Sequence, residues 1–233
     1  TIASRNKNQP GNSLAETYIK QKLQSYNLAT TIQSFSATGK NVIAAQTGNM
    51  FPNKKYIICA HFDDMPIGSI APGADDNASG TAVVIEAARI FSHYSFPYTL
   101  VYALWDEEEQ GLIGSYFYAG QAAANGDSIL GVLNLDMIAW DSNADNAAEI
   151  HTNSNINSTN LKDKLIQVNS DFNIGLSLSV RNPGTTASDH SPFWANGYGA
   201  VLLIEALFGG DFNTYYHTTS DLLIHFNQTY YLK

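Results

Sequence analysis

The residues of this chain best equipped for chemistry lie between Ile57 and Gly80, IICAHFDDMPIGSIAPGADDNASG. An apolar strand through Tyr56, Ile57, Ile58, Cys59 and Ala60 ends on His61, with Asp63 two positions on and Asp75 and Asp76 in a glycine-flanked turn. Unpaired carboxylates are rarely tolerated beside an apolar run, and here several gather around one imidazole. A bound cation is the economical reason. Aspartates in a turn can offer both oxygens, and a strand-end histidine has a fixed direction, a donor set suited to a divalent metal of borderline softness. His-x-Asp alone is a weak signal; fused to ADDNASG it is a strong one.

Further along, the apolar run Thr99 to Trp105 stops abruptly at Asp106, Glu107, Glu108 and Glu109, and the run Ile129 to Leu135 stops at Asp136. Both runs read as strands buried on two faces. Strand, acid at its C-terminal end, then helix is the grammar of an open, mostly parallel sheet that binds ligands beyond the strand ends. His61, Glu108, Glu109 and Asp136 are thereby expected at one edge.

The elements that must hold them follow from periodicity. A capping box at Ser13 and Glu16 is expected to open a helix carrying Ala15, Tyr18, Ile19 and Leu23. Thr30 to Ala37 and Asn41 to Gln46 alternate as antiparallel strands. Helices are expected from Ser79 to about Tyr94, Gly111 to Gly126 and Asn160 to about Asn169. Further strands are expected at Glu149 to Thr152, Leu176 to Val180 and Gly199 to Ala206. Ser188, Asp189 and His190 are expected to cap a short helix near Pro192. Beyond the last strand, Phe208 to Tyr216 delivers His217 and a capping run, Thr218 to Asp221. His93 and His225 read as ordinary helix or structural residues, and His151 as structural. The expected fold is α/β: residues 1–233 as one domain, with a mixed, mostly parallel central sheet flanked by helices.

With 233 residues, 44% of them hydrophobic, the chain can build a substantial core. Its net charge of -9 and lack of any basic run argue against nucleic acid or anionic membrane as partners. A charged fraction of only 14%, with abundant Asn, Ser, Thr and Tyr, points to a secreted or periplasmic bacterial protein. The chain starts without Met or a signal peptide, and an N-terminal segment is expected to have been removed. Its one cysteine, Cys59, excludes an internal disulfide framework and reads as a small buried hydrophobe.

Taken in order, HFDD, APGADDNASG, WDEEEQGLIGS, NLDM and YHTTSD resemble the zinc aminopeptidases of peptidase family M28 over most of the chain. The resemblance implies two zinc ions bridged by an aspartate matched here by Asp75. His61 and Asp136 would complete one ion, and Glu109 and His217 the other. Each ion would keep an open position for water, the arrangement of a catalytic rather than a structural site. Glu108 would be the general base, and Glu107 a surface acid. Asp63 would accept the other N–H of His61 and fix its tautomer. Tyr216 would hydrogen-bond the tetrahedral oxyanion. The resemblance also implies a cis peptide between Asp75 and Asp76, and it places Ser188, Asp189 and His190 beside the site.

The expected substrates are peptides with a free N-terminus, whose ammonium suits an acidic rim of Glu108 and Asp136. Met137, Phe208, Phe212 and Tyr215 are expected to wall a pocket for the first side chain. Three alternatives stay open: a glutaminyl cyclase, which resembles this fold but works with one zinc; a non-catalytic binding domain of the same fold; and a carboxypeptidase of related fold. The last is disfavoured because Arg181 is the only arginine near the later motifs. Neither the oligomeric state nor the preferred N-terminal residue is written in the sequence.

Overall fold

The computed structural model describes residues 2–233. Among the described residues eight strands form one sheet: β1 (Ala29–Ser34), β2 (Lys40–Gln46), β3 (Phe51–His61), β4 (Tyr98–Trp105), β5 (Ser128–Leu135), β6 (Ala147–His151), β7 (Ser177–Arg181) and β8 (Ala200–Glu205). Their spatial order is β1-β2-β4-β3-β5-β8-β6-β7. The centre is parallel, β4 with β3, β3 with β5 and β5 with β8, while β1 with β2, β2 with β4 and β6 with β8 run antiparallel. The helices are α1 (Pro10–Ser25), α2 (Gly80–Phe91), α3 (Ile113–Ala124), α4 (Ile156–Asp171), α5 (Ser191–Ala195) and α6 (Gln228–Tyr231). No helix among the described residues is long and apolar enough to cross a membrane.

The continuous apolar strands are apolar because both their faces are covered. Along β4, Tyr102 and Leu104 pack with Ile19, Leu23, Val84 and Ala88 of α1 and α2. The alternate residues Val101, Ala103 and Trp105 pack on the other side with Ala119 and Ala122 of α3 and Phe193 of α5. Cys59 is buried in this second layer as a free thiol. The parallel strands all release their chains at one edge, so His61, the acids after β4 and Asp136 after β5 emerge side by side.

Several boundaries differ from those expected. α1 begins at Pro10 rather than at a Ser13 box, with Gln9 extended before it, because proline's fixed φ starts a helix by itself. α4 begins at Ile156, where the Asn155 side chain accepts from Asn157 N. No side chain caps α5: its first turn closes on the backbone of His190, and Ser188, Asp189 and His190 spend their side chains elsewhere. The Thr218–Asp221 run caps no helix of its own; Asp221 instead accepts from the backbone of Asp75 and Asp76.

The segment before α1 is strapped across the loop that follows β3. Arg5 donates from Nε to Phe62 O (2.6 Å), from Nη1 to Pro72 O (2.8 Å) and from Nη2 to Gly73 O (2.8 Å). Asp64, wholly buried, accepts from Arg5 N (2.8 Å) and faces Arg5 Nη1 at 3.3 Å. One guanidinium thus closes three carbonyls and a carboxylate that the loop could not otherwise satisfy. Removing one partner of a buried pair leaves an uncompensated charge, so Arg5→Met is expected to cost about 3–5 kcal/mol in urea unfolding at pH 7. A loss under about 1 kcal/mol would show that water satisfies the loop instead.

Candidate metal centre

Asp76, not Asp75, joins the cluster at the sheet edge. His61 Nε2 lies 3.3 Å from Asp76 Oδ1 and 3.3 Å from Asp136 Oδ1. His217 Nε2 lies 3.1 Å from Asp76 Oδ2 and 2.9 Å from Glu109 Oε2. Asp76 therefore turns one oxygen to each of two ligand groups, His61 with Asp136 and Glu109 with His217, both of the size that a metal ion bridges. His61, Glu108 and Glu109 form a third close set. All donors are oxygen or imidazole nitrogen, and Asp76 Oδ2 and Glu109 Oε1 are buried without a hydrogen bond among the described residues. A dication fits this donor set; a structural zinc closed by thiolates does not.

Asp75 points the other way. Its Oδ1 accepts from Ala139 N (2.9 Å) and its Oδ2 from Asn213 Nδ2 (2.9 Å). Burial pushes its carboxyl up to about 6. Glu205 beside it is pushed well above the ordinary carboxyl range by burial and by the charge of Asp75. The physical reason for the one-residue correction is the turn itself. Residues 74–79 are not a regular helix: Asp76 (φ -103°, ψ 96°) and Asn77 (φ -129°, ψ 51°) depart from helical angles, which aims Asp76 outward. The cis peptide is likewise one residue later than expected, between Asp76 and Asn77.

The turn is held from both sides. Asp221 accepts from Asp75 N (3.1 Å) and Asp76 N (3.0 Å). Asn77 donates to Leu135 O (2.9 Å) at the end of β5 and accepts from Gly80 N (2.9 Å). Gly80 must be glycine here, since a Cβ would meet Leu135 O at 2.6 Å. Asp136 in turn accepts from Ser188 Oγ (2.5 Å), which accepts from Asn134 Nδ2 (2.8 Å).

Asp63 has two tasks. Its carboxylate accepts from Glu108 N (3.1 Å) and Glu109 N (3.2 Å), fixing the glutamate loop. His61 Nδ1 faces its main-chain oxygen at 3.3 Å and its Oδ1 at 3.5 Å. Glu107, expected at the surface, is instead buried at φ 58° and accepts from Thr38 Oγ1 (2.8 Å) with Lys7 Nζ at 3.4 Å. The left-handed residue reverses the chain after β4, so that the second and third glutamates reach the site while the first points back. Met137 (φ 49°) and His217 (φ 55°) occupy the same sparsely populated region beside it.

The electrostatics record an excess of negative charge. Burial pulls the His61 imidazole down, but Glu108 and Asp136 more than offset it and leave it well above its ordinary range. Burial also opposes protonation of His217, yet Asp76 and Glu109 raise it to about 10. Glu108 is pushed well up by burial, against the pull of His61, with Asp189 and Asp136 adding to the rise. Burial and Asp76 lift Glu109 to about 7. Asp76, despite burial, is held below the usual carboxylate range by His217 and His61. Bound cations would supply the positive charge these acids otherwise draw from the two histidines.

These side chains line a cleft of about 90 Å³ together with the apolar Met137, Leu202, Ile204, Leu207 and Phe212. Met137 and Phe212 were expected there, but Phe208 and Tyr215 lie elsewhere. Phe208 packs on His151 and Arg181, and Tyr215 stacks on His225 at 4.0 Å, because the loop after β8 turns alternate rings away from the cleft. Tyr216 lines it, its ring 3.6 Å from that of His217. Sequence reasoning missed Leu202, Ile204, Glu205 and Asp221. Glu205 carried a readable signal, an acid ending an apolar strand; Asp221 carried none beyond its capping composition.

Residues 41–232 match the model of peptidase family M28, and the chain belongs to that family. It is 30% identical over 233 residues to leupeptin-inactivating enzyme 1 of Streptomyces exfoliatus, covering 91% of this chain and 50% of that protein. It is 30% identical over 159 residues to a probable zinc metalloprotease of Pyrenophora teres f. teres, covering 59% of this chain and 33% of that one. The chain thus spans a third to a half of these curated relatives. In fold it is similar to the LapA aminopeptidase of Legionella pneumophila, with TM-score 0.86, 21% identity and coverage of 99% of this chain and 64% of that one.

The geometry separates the two adjacent aspartates by experiment. Asp76→Asn is expected to abolish binding in a calorimetric titration with divalent cations, and Asp75→Asn to leave it within a few-fold. The reverse pattern would return the bridging position to Asp75.

Proposed function

We propose that the chain is the catalytic domain of a two-zinc aminopeptidase that removes the N-terminal residue of peptides. The observation that carries this reading is the division of Asp76 between two complete ligand groups. Membership of peptidase family M28 and the zinc metalloprotease among its relatives support zinc as the metal. His61, Asp76 and Asp136 would hold one ion, and Asp76, Glu109 and His217 the other. Bound there, zinc would lower the pKa of a water and polarise a scissile carbonyl.

The rest of the reaction falls to side chains. Glu108 sits beside these ligands with its carboxyl already raised by burial, which suits a group that must accept the water's proton and pass it to the leaving amine. Asp63 holds the Glu108 and Glu109 amides, so the base and its neighbouring ligand keep one geometry. Tyr216, its phenol pushed upward chiefly by burial, stays a neutral donor able to hydrogen-bond the oxyanion. The acidic lining of the cleft suits the substrate's ammonium, and Met137, Leu202, Ile204, Leu207 and Phe212 suit an apolar first side chain.

Glu108→Ala is expected to lower hydrolysis by about 10²–10⁴-fold or more while zinc content stays unchanged; retained turnover would remove Glu108 from the mechanism. Leucyl anilides are expected to give higher kcat/KM than lysyl anilides, and a lysyl preference would contradict the apolar wall. A glutaminyl cyclase is the second reading. The cyclase of Porphyromonas gingivalis shares the fold at TM-score 0.78 and 17% identity, and this chain covers 88% of its length. Close to one zinc per chain, with cyclisation of N-terminal glutamine, would favour that reading; two zincs and peptide hydrolysis are expected.

A further inference from the structure

We infer that Glu149 and His151, neither of them in the metal cluster, form a positioning pair that sets both walls of the substrate cleft and so govern KM. The two stand two residues apart on β6, on one face of the strand, and both are buried. His151 Nδ1 accepts from Thr185 N (3.0 Å), so that nitrogen carries no proton. The proton must then sit on Nε2, which donates to Glu149 Oε2 (3.0 Å). Glu149 Oε1 accepts from Arg181 Nη2 (2.6 Å) and from Phe208 N (3.0 Å).

Each bond ends on a wall. Thr185 lines the cleft, and its backbone is held on both sides of Cα, since its N–H donates to His151 and its carbonyl accepts from His190 Nε2 (2.9 Å). The same short segment ends at Ser188, which donates to Asp136. Phe208 N anchors the start of the other wall, the loop that carries Phe212 and Tyr216 into the cleft. Glu149 thus ties together two loops that share no strand. Burial lowers both His151 and His190, so both rings stay neutral in the fold, as the bond pattern requires.

The pair rests on a tautomer, and Glu149→Gln breaks it. If the new amide turns its oxygen to His151, its NH₂ faces the Phe208 N–H and Arg181, donor against donor. If it turns its NH₂ to His151, the ring proton must move to Nδ1 and oppose the Thr185 N–H. One wall loses its anchor either way. His151→Gln keeps one donor and one acceptor and is the conservative partner.

The kinetic part of the test rests on the aminopeptidase reading; the spectroscopic part does not. In long-range ¹H–¹⁵N spectra of the wild-type chain, His151 is expected as the neutral Nε2–H tautomer. A ring protonated at Nδ1 overturns the inference without any variant being folded. In steady-state assays on leucyl substrates, Glu149→Gln is expected to raise KM about tenfold with kcat within about threefold and divalent-metal content unchanged, and His151→Gln to raise KM less. A Glu149→Gln enzyme with wild-type KM, or one that loses kcat alone, overturns it. A wild-type chain with the expected tautomer but no aminopeptidase activity would sink the functional reading and leave the clamp standing.

Discussion

Asp221 and Asn77 bind a turn that has no regular structure of its own, and the metal cluster depends on that binding. The turn from Ala74 to Ser79 departs from helical angles at the two residues that matter, so its shape must be imposed from outside. Asp221 collects the amides of Asp75 and Asp76, and Asn77 bolts the far side to the end of β5. Because β5 also delivers Asp136, that residue and Asp76 are referenced to one strand end. Asp76 sits between His61 with Asp136 and Glu109 with His217, turning an oxygen to each group.

The same edge concentrates like charge at a cost that stability alone would not favour. Isolated buried carboxylates are expensive, and here burial raises Glu108, Glu109 and Asp189 with help from the acids around them: Asp189 and Asp136 on Glu108, Asp76 and Asp63 on Glu109, Asp136 and Asp63 on Asp189. The molecule offsets part of this with backbone amides and two imidazoles. Asp189 is typical of the arrangement: wholly buried, it is raised to about 7 by burial against the pull of His61 and the hydrogen bond from Ser115. Titratable groups perturbed in this way gather at functional sites.

Much of this was legible in the chain. Apolar runs ending in acids announced the parallel sheet and put His61, Glu108, Glu109 and Asp136 at one edge, because a strand covered on both faces has to be apolar until it stops. The choice between Asp75 and Asp76 was not legible: adjacent identical residues in an aperiodic turn carry no phase. Glu107 failed for a related reason, since its left-handed backbone reverses the chain one residue before the site. Phe208 and Tyr215 were misplaced because loop residues near a ligand in sequence need not face it. Arg5 and Asp221 act over separations of 57 and 146 residues, which no local pattern encodes.

Anomalous diffraction at the zinc absorption edge, from crystals grown with zinc, tests the central arrangement most directly. Two peaks are expected astride Asp76, one contacting His61 and Asp136 and the other Glu109 and His217. A single peak, or a second ion reached through Asp75, would contradict it.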